Sequence, residues 1–274
     1  MPDTLGVEKM KIVFVAVSVP ALQQVGEFEK RYRRSWPEGD LAVECFYVAG
    51  REAQYLADPG KLQEAVRTAD VAVIDTMGVS EKLQETVKMA LERCEGERIV
   101  IGNTLREYLR LGSFSMSAMG KKKKKKETEQ EGKKEQKQKG NALDKMHKMR
   151  RMALMLGNVM PFGVTRDMKN VFLLMDYWQQ ATKEDISSFF YLLLRQYGKQ
   201  KFLPKEKPCT MKYGIYLKDP DTLECCADVK EYWEKRKYQK EKDTIAVLFY
   251  GHSYPNDFLP VVRAITRELE GRYN

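Results

Sequence analysis

Residues 10–103 alternate two kinds of signal, and that alternation leaves few folds open. "KIVFVAVSV" (Lys11–Val19) is an unbroken apolar, largely β-branched run of the kind found in strands buried on both faces. Pro20 follows at a position suited to the first turn of a helix, where its missing N–H would have no partner anyway. Leu22, Val25, Phe28 and Tyr32 then recur at three- and four-residue spacing and form one apolar stripe. "LAVECFYV" (Leu41–Val48) predicts a second strand, Leu62–Arg67 a short helix, "DVAVID" (Asp70–Asp75) a third strand and "RIVIG" (Arg98–Gly102) a fourth. Between the last two, Leu83, Val87 and Leu91 mark a helix over Glu81–Arg93 with Ser80 as its N-cap. Strands separated by amphipathic helices pair in parallel through right-handed crossovers, so an α/β fold with a flavodoxin- or Rossmann-like parallel sheet is expected over residues 1–118.

Sheets of this kind often bind nucleotides, but the phosphate motifs are missing. Strand one runs into Ser18-Val19-Pro20-Ala21 with no G-x-G-x-x-G, and no G-x-x-x-x-G-K-[ST] occurs anywhere. The loop Thr76-Met77-Gly78-Val79-Ser80 could offer N–H groups to an anion, although a plain strand-to-helix turn explains it more simply. Asp75, closing the third strand, could be a carboxylate in a cleft; turn formation or helix capping is the simpler role.

The formal net charge of +9 invites a nucleic-acid reading, so its location matters. Lys121–Arg151 holds fourteen Lys or Arg against five Asp or Glu, a surplus of nine, so the remaining residues sum to about zero. From Gly120 to Asn141 there is no hydrophobic side chain and no aromatic ring for base stacking. Residues 119–142 are therefore expected to form a disordered Lys-rich linker, with a polybasic arm for nucleic acid or anionic lipid as the competing reading. Five scattered cysteines without a CxxC suit a reducing compartment, and no apolar run approaches the ~20 residues of a membrane span. A cytoplasmic location is expected.

Beyond the linker the pattern turns helical over 143–207. A Met-rich helix is stopped by Pro161 and Gly163, and Met168, Val171, Phe172, Met175 and Trp178 form a second stripe. Thr182 followed by Asp185 is a variant capping box for a third helix running to Tyr197. Residues 208–274 read as a truncated α/β segment: "KYGIYLKDPD" is a short strand and turn, and Ile245–Tyr250 is a buried-type strand. It leads through Gly251–Asp257 to a helix striped by Val261, Val262, Ile265 and Leu269, the start of a second βα sheet unit.

"LREYLRLGSFSMS" (Leu105–Ser117), "DMKNVFLLMDYWQQATKEDISSFFYLLLRQYG" (Asp167–Gly198), "YGIYLKDP", "VKEYWEKR" and "TIAVLFYGHSYPNDFLPVVRAITRELEGR" (Thr244–Arg272) carry a resemblance. In this order they resemble the N-terminal portion of the large subunits of magnesium chelatase and cobaltochelatase. The resemblance implies part of an ATP-dependent, multi-subunit enzyme that inserts magnesium or cobalt, its substrate metal, into a porphyrin or corrinoid ring. It implies AAA+ subunits that hydrolyse ATP separately, a tetrapyrrole substrate, no cofactor held by this chain, and room for a separate C-terminal polypeptide as partner. The isolated chain is not expected to be catalytic. A non-catalytic interaction module of the same architecture, or a polybasic nucleic-acid-associated protein, are the alternatives; nucleic acid is disfavoured by the neutral domains.

Three residues are candidates for contact with the macrocycle. His252 sits in the loop after the Ile245–Tyr250 run, where an imidazole could ligate a metal or accept a pyrrole proton. Relatives usually carry Arg at or beside Gly251, so that arginine's role is in doubt here. Phe114 and Met116 could line an apolar pocket, or simply pack the linker entry onto the core. No catalytic residue and no metal ligand is assigned, and His147, among Lys145, Lys148, Arg150 and Arg151, reads as a solvated helix residue.

Overall fold

The computed structural model describes residues 10–37, 39–102, 104–118, 142–209, 215–216, 225–226, 229–235, 239, 241–247 and 259–273. The lysine run, the side chain of His147, and the Gly251–Asp257 loop with His252 lie outside the described residues.

Four buried-type runs become the parallel strands β1 (Met10–Ala16), β2 (Leu41–Tyr47), β3 (Val71–Asp75) and β4 (Glu97–Ile101). A hairpin of β5 (Arg110–Leu111) and β6 (Phe114–Ser115) continues the sheet antiparallel, giving the order β2-β1-β3-β4-β5-β6. The fold is α/β as expected. Its 2-1-3-4 beginning is the flavodoxin-type winding, in which the chain reverses direction between β1 and β3. In β1, Ile12, Val13, Phe14, Val15 and Ala16 are all fully buried, so both faces of this strand must be covered.

Right-handed crossovers decide what covers them. The β1-to-β2 connection, α1 (Val19–Ser35), runs one way across the sheet, whereas β2-to-β3 and β3-to-β4 run the other. This puts α1 on one face and α2 (Glu52–Ala57), α3 (Gly60–Arg67) and α4 (Glu81–Glu92) on the opposite one. The α1 face would be left half bare by a single helix. It is completed from beyond the lysine run, by α6 (Gly163–Gln180) and α7 (Lys183–Gln196), while α5 (Ala142–Val159) packs on α6.

Aromatic rings make that contact. Phe14 stacks on Trp178 of α6 with centroids 5.4 Å apart and planes 11° apart, and Phe28 of α1 stacks on Phe190 of α7 at 4.2 Å and 3°. Phe189 fills the angle between Phe14 and Trp178. The buried Tyr32 hydroxyl donates to the Gln200 Oε1 at 2.6 Å. One core therefore takes in side chains from Met10 to Leu203.

The capping signals hold where they were read. Ser18 caps α1 with Pro20 in its first turn, Ser80 caps α4, and the Thr182 Oγ1 accepts from the Asp185 N–H at 3.1 Å. Toward the C-terminus, β7 (Ile215–Tyr216) pairs antiparallel with β8 (Cys225–Cys226), followed by α8 (Val229–Lys235) and α9 (Leu259–Glu270). The strand expected at Ile245–Tyr250 is not formed over 245–247, where Ile245 is 41% exposed; the remainder of that run is outside the described residues. The expected stripe of α9 is only partly covered: Val262 is buried, whereas Val261 and Ile265 are exposed.

Candidate functional site at the carboxyl end of the sheet

In a doubly wound sheet the strand ends on either side of the reversal splay apart, and ligands bind in the crevice between them. Here that place lies between the ends of β1 and β3. The Val17 N–H donates to the Asp75 carbonyl at 3.1 Å, closing the sheet just before the two chains part. Ser18 then turns into α1, its Oγ accepting from the Ala21 N–H. Past β3, Thr76 is buried, Met77 is exposed over Gly102, and Gly78 adopts a positive φ of 80° that favours glycine.

The loop Thr76–Ser80 does not offer an anion cradle. Three of its N–H groups are already committed: Met77 to the Asp75 carboxylate, Val79 to the Thr76 carbonyl, and Ser80 to a Glu52 carboxylate oxygen at 3.1 Å. Glu52 also places negative charge at the mouth of the loop. It is a strand-to-helix turn.

Asp75 is the unusual group. Its carboxylate is 7% exposed, and the Trp178 Nε1–H donates to its Oδ2 at 2.9 Å. Both described donors, that indole and the Met77 N–H, are neutral, so burial dominates and pushes the Asp75 carboxyl above the ordinary carboxylate range. The folded state therefore holds this proton more tightly than the unfolded state. The associated stability is fully present below the unfolded pKa and is lost as pH rises through the raised folded one. Asp75→Asn keeps an acceptor for Trp178 without the buried charge. Melting curves from about pH 4 to about pH 7 should show the wild-type Tm falling relative to that of the variant. Parallel curves would mean that Asp75 does not titrate in this way.

A second buried carboxylate ties the other end of α6 to the sheet. Asp167 is fully buried; it accepts from the Ser113 N–H at 2.8 Å, the Tyr197 hydroxyl at 2.9 Å and the Arg166 guanidinium at 2.9 Å. Tyr197 in turn accepts from the Asn170 amide at 3.0 Å, and burial pushes the Tyr197 phenol up. The anchored backbone is the two-residue loop of the β5–β6 hairpin, with Gly112 at φ 54° in its first position as a type II′ turn prefers. A Cβ on Gly112 would lie 2.4 Å from the Asp167 Oδ2. The stretches R-L-G-S-F-S-M and D-M-K-N…D-Y-W, far apart in sequence, are thus one joint.

Of the sequence-predicted site residues, Phe114 lies inside this joint at 2% exposure and Met116 packs half-buried at its edge, its N–H donating to the Leu109 carbonyl. His252 lies outside the described residues. The sequence reading missed Asp167 altogether and saw only half of the Asp75–Trp178 pair. A carboxylate placed beside an apolar helical stripe was the available signal, since burying it demands partners. Among the described residues no group of three or more His, Cys, Asp or Glu is placed to hold a metal.

Comparison with known proteins bears on these segments. Residues 175–274 match the model of the CobN/Magnesium Chelatase family, so the match opens on the Asp176-Tyr177-Trp178 stretch that holds Asp75. The chain holds a chelatase large-subunit-like region. It is also similar to the H-type magnesium-chelatase subunit of Chlorobaculum parvum (strain DSM 263 / NCIMB 8327), 25% identical over 196 residues. That alignment takes in 69% of this chain and 15% of the relative, so the chain spans a small part of the length of the curated protein it matches. Within the chelatase-like region, the Arg150–Asp176 ion pair at 2.5 Å secures the start of the match to α5, and the Tyr177 hydroxyl donates to the Lys207 carbonyl. No helix among the described residues is long and apolar enough to cross a membrane.

Proposed function

We propose that this chain acts as the N-terminal part of the tetrapyrrole-binding large subunit of a metal chelatase, inserting magnesium or cobalt into a porphyrin or corrinoid ring. The observation that carries this reading is the family match over residues 175–274. The resemblance of Leu105–Ser117 and Asp167–Gly198, which the structure joins through Gly112 and Asp167, supports it. In this reading ATP is hydrolysed by separate AAA+ subunits, and no cofactor resides in this chain.

Metal insertion removes two pyrrole N–H protons and needs a largely apolar enclosure around the ring. We assign this chain the role of one wall of that enclosure, with Met116 at the joint and His252 as contacts and the rest of the enclosure supplied by further large-subunit sequence. Phe114 acts from behind, as packing under Met116. A metal-free porphyrin titrated into the chain together with the remainder of a large subunit should shift its main absorption band. Met116→Ala and His252→Ala should each weaken binding several-fold. The same shift from the remainder alone, with the chain making no difference, would reject the reading in favour of a non-catalytic interaction module.

A further inference from the structure

The register of the sheet sets three side chains in one row across its antiparallel edge. Arg98 of β4 lies directly opposite Arg110 of β5, and Arg110 directly opposite Ser115 of β6. Side chains opposite one another on neighbouring strands share a face. Here it is the α4 face, because the Arg98 Nη1 donates to the carbonyls of Leu91 and Cys94 at 3.0 and 3.5 Å. Two cations placed opposite each other cost stability unless something negative answers them. The end of α4 answers part of the Arg98 charge, but the Arg98 Nε is buried without a hydrogen-bond partner. Arg110 is exposed and makes no hydrogen bond or ion pair among the described residues. Glu97 is near enough to feel Arg110, yet its carboxylate already accepts the Gly112 N–H at 2.9 Å, and burial pushes its carboxyl up. Ser115 adds a further donor: its hydroxyl and that of Ser117 lie 2.9 Å apart, so one proton bridges them and the other is left over.

Two arginines, an unmatched N–H and a spare hydroxyl proton on one row are donors in excess of acceptors. Such a set suits an oxyanion, and a guanidinium grips a carboxylate with a planar fork of paired hydrogen bonds. Ser115 and Ser117 flank Met116 in the chain, so the row adjoins the proposed apolar contact. Biosynthetic porphyrin and corrinoid rings carry ionised carboxylate arms on the rim of an otherwise apolar body. Resting on the tetrapyrrole-binding reading, we propose that Arg110, with Arg98 and the Ser115–Ser117 hydroxyl pair, binds one such carboxylate arm. The grip sets how the ring is turned against Met116. Free phosphate offers the same donors similar oxygens, and the two sources are separable by experiment.

Metal-free deuteroporphyrin, a dipropionate, and its uncharged dimethyl ester are titrated into the chain together with the remainder of a large subunit. Arg110→Ala should weaken binding of the diacid at least about tenfold and that of the diester less than about twofold. Arg110→Lys keeps the charge without the fork and should fall between wild type and alanine. The double variant Ser115→Ala with Ser117→Ala should lose several-fold for the diacid alone. Because Arg110 faces Arg98, the Tm of Arg110→Ala should be no lower than that of the wild type. Equal losses for diacid and diester, or no loss for either, overturn the carboxylate site and leave the tetrapyrrole reading to stand on Met116→Ala. If the chain adds nothing to the binding of either porphyrin, both fall. Micromolar binding of inorganic phosphate by the full chain alone, abolished in Arg110→Ala, would overturn the proposal by assigning the row to free phosphate.

Discussion

Asp167→Ala is expected to lower the melting temperature by about 10 °C, corresponding to a loss of about 3 kcal/mol. The substitution strips the acceptor from the Ser113 N–H and the Tyr197 hydroxyl, both held around a fully buried carboxylate. Unsatisfied donors of this kind cost about 1–3 kcal/mol each. The Arg166 partner is partly exposed and can return to water, so it adds little. Asp167→Asn, which keeps an acceptor for Ser113, should recover a large part of the loss. Thermal or urea unfolding checks both, and an alanine variant as stable as the wild type would show that the hairpin does not depend on this carboxylate. Gly112 sets the geometry of the same joint, because no side chain fits between its Cα and Asp167.

Trp178→Ala should be at least as damaging, with a loss of about 3–5 kcal/mol. The indole is 2% exposed, stacks on Phe14 of the central strand and borders Phe189, so its removal opens a cavity where α6 meets the sheet. It also removes a neutral donor from Asp75, whose carboxyl is already pushed upward by burial. Trp178→Phe separates the two effects. It retains most of the stacking and loses only the N–H, so a cost of about 1–3 kcal/mol is expected, smaller at low pH where Asp75 carries its proton. A phenylalanine variant as unstable as the alanine variant at every pH would place the whole contribution in the hydrogen bond instead of the ring.

These two positions also show where sequence reasoning reached and where it stopped. Strands such as Met10–Ala16 and Val71–Asp75 were legible because a strand buried on both faces must be apolar at every position. The caps Ser18, Ser80 and Thr182 were legible because capping is a contact within four residues. Helix Glu52–Ala57 was not, since it buries none of its residues and so leaves no stripe. The β5–β6 hairpin has two-residue strands, too short for any period. Ile245–Val247 has the composition of a strand, yet pairing depends on a neighbour's edge, which composition does not encode.

The sequence by itself determined that this chain builds a parallel α/β sheet, where the three helices capped by Ser18, Ser80 and Thr182 start, that its positive charge is confined to one segment, and which large subunits it resembles. Each of these rests on residues close together in the chain. The tertiary structure alone decided the winding order, the closure of the α1 face by helices from beyond the lysine run, and the conversion of Asp75 and Asp167 from plain carboxylates into buried joints. Their partners lie 103 and 54 residues away, and only folding brings a buried charge to the donors that make its burial tolerable.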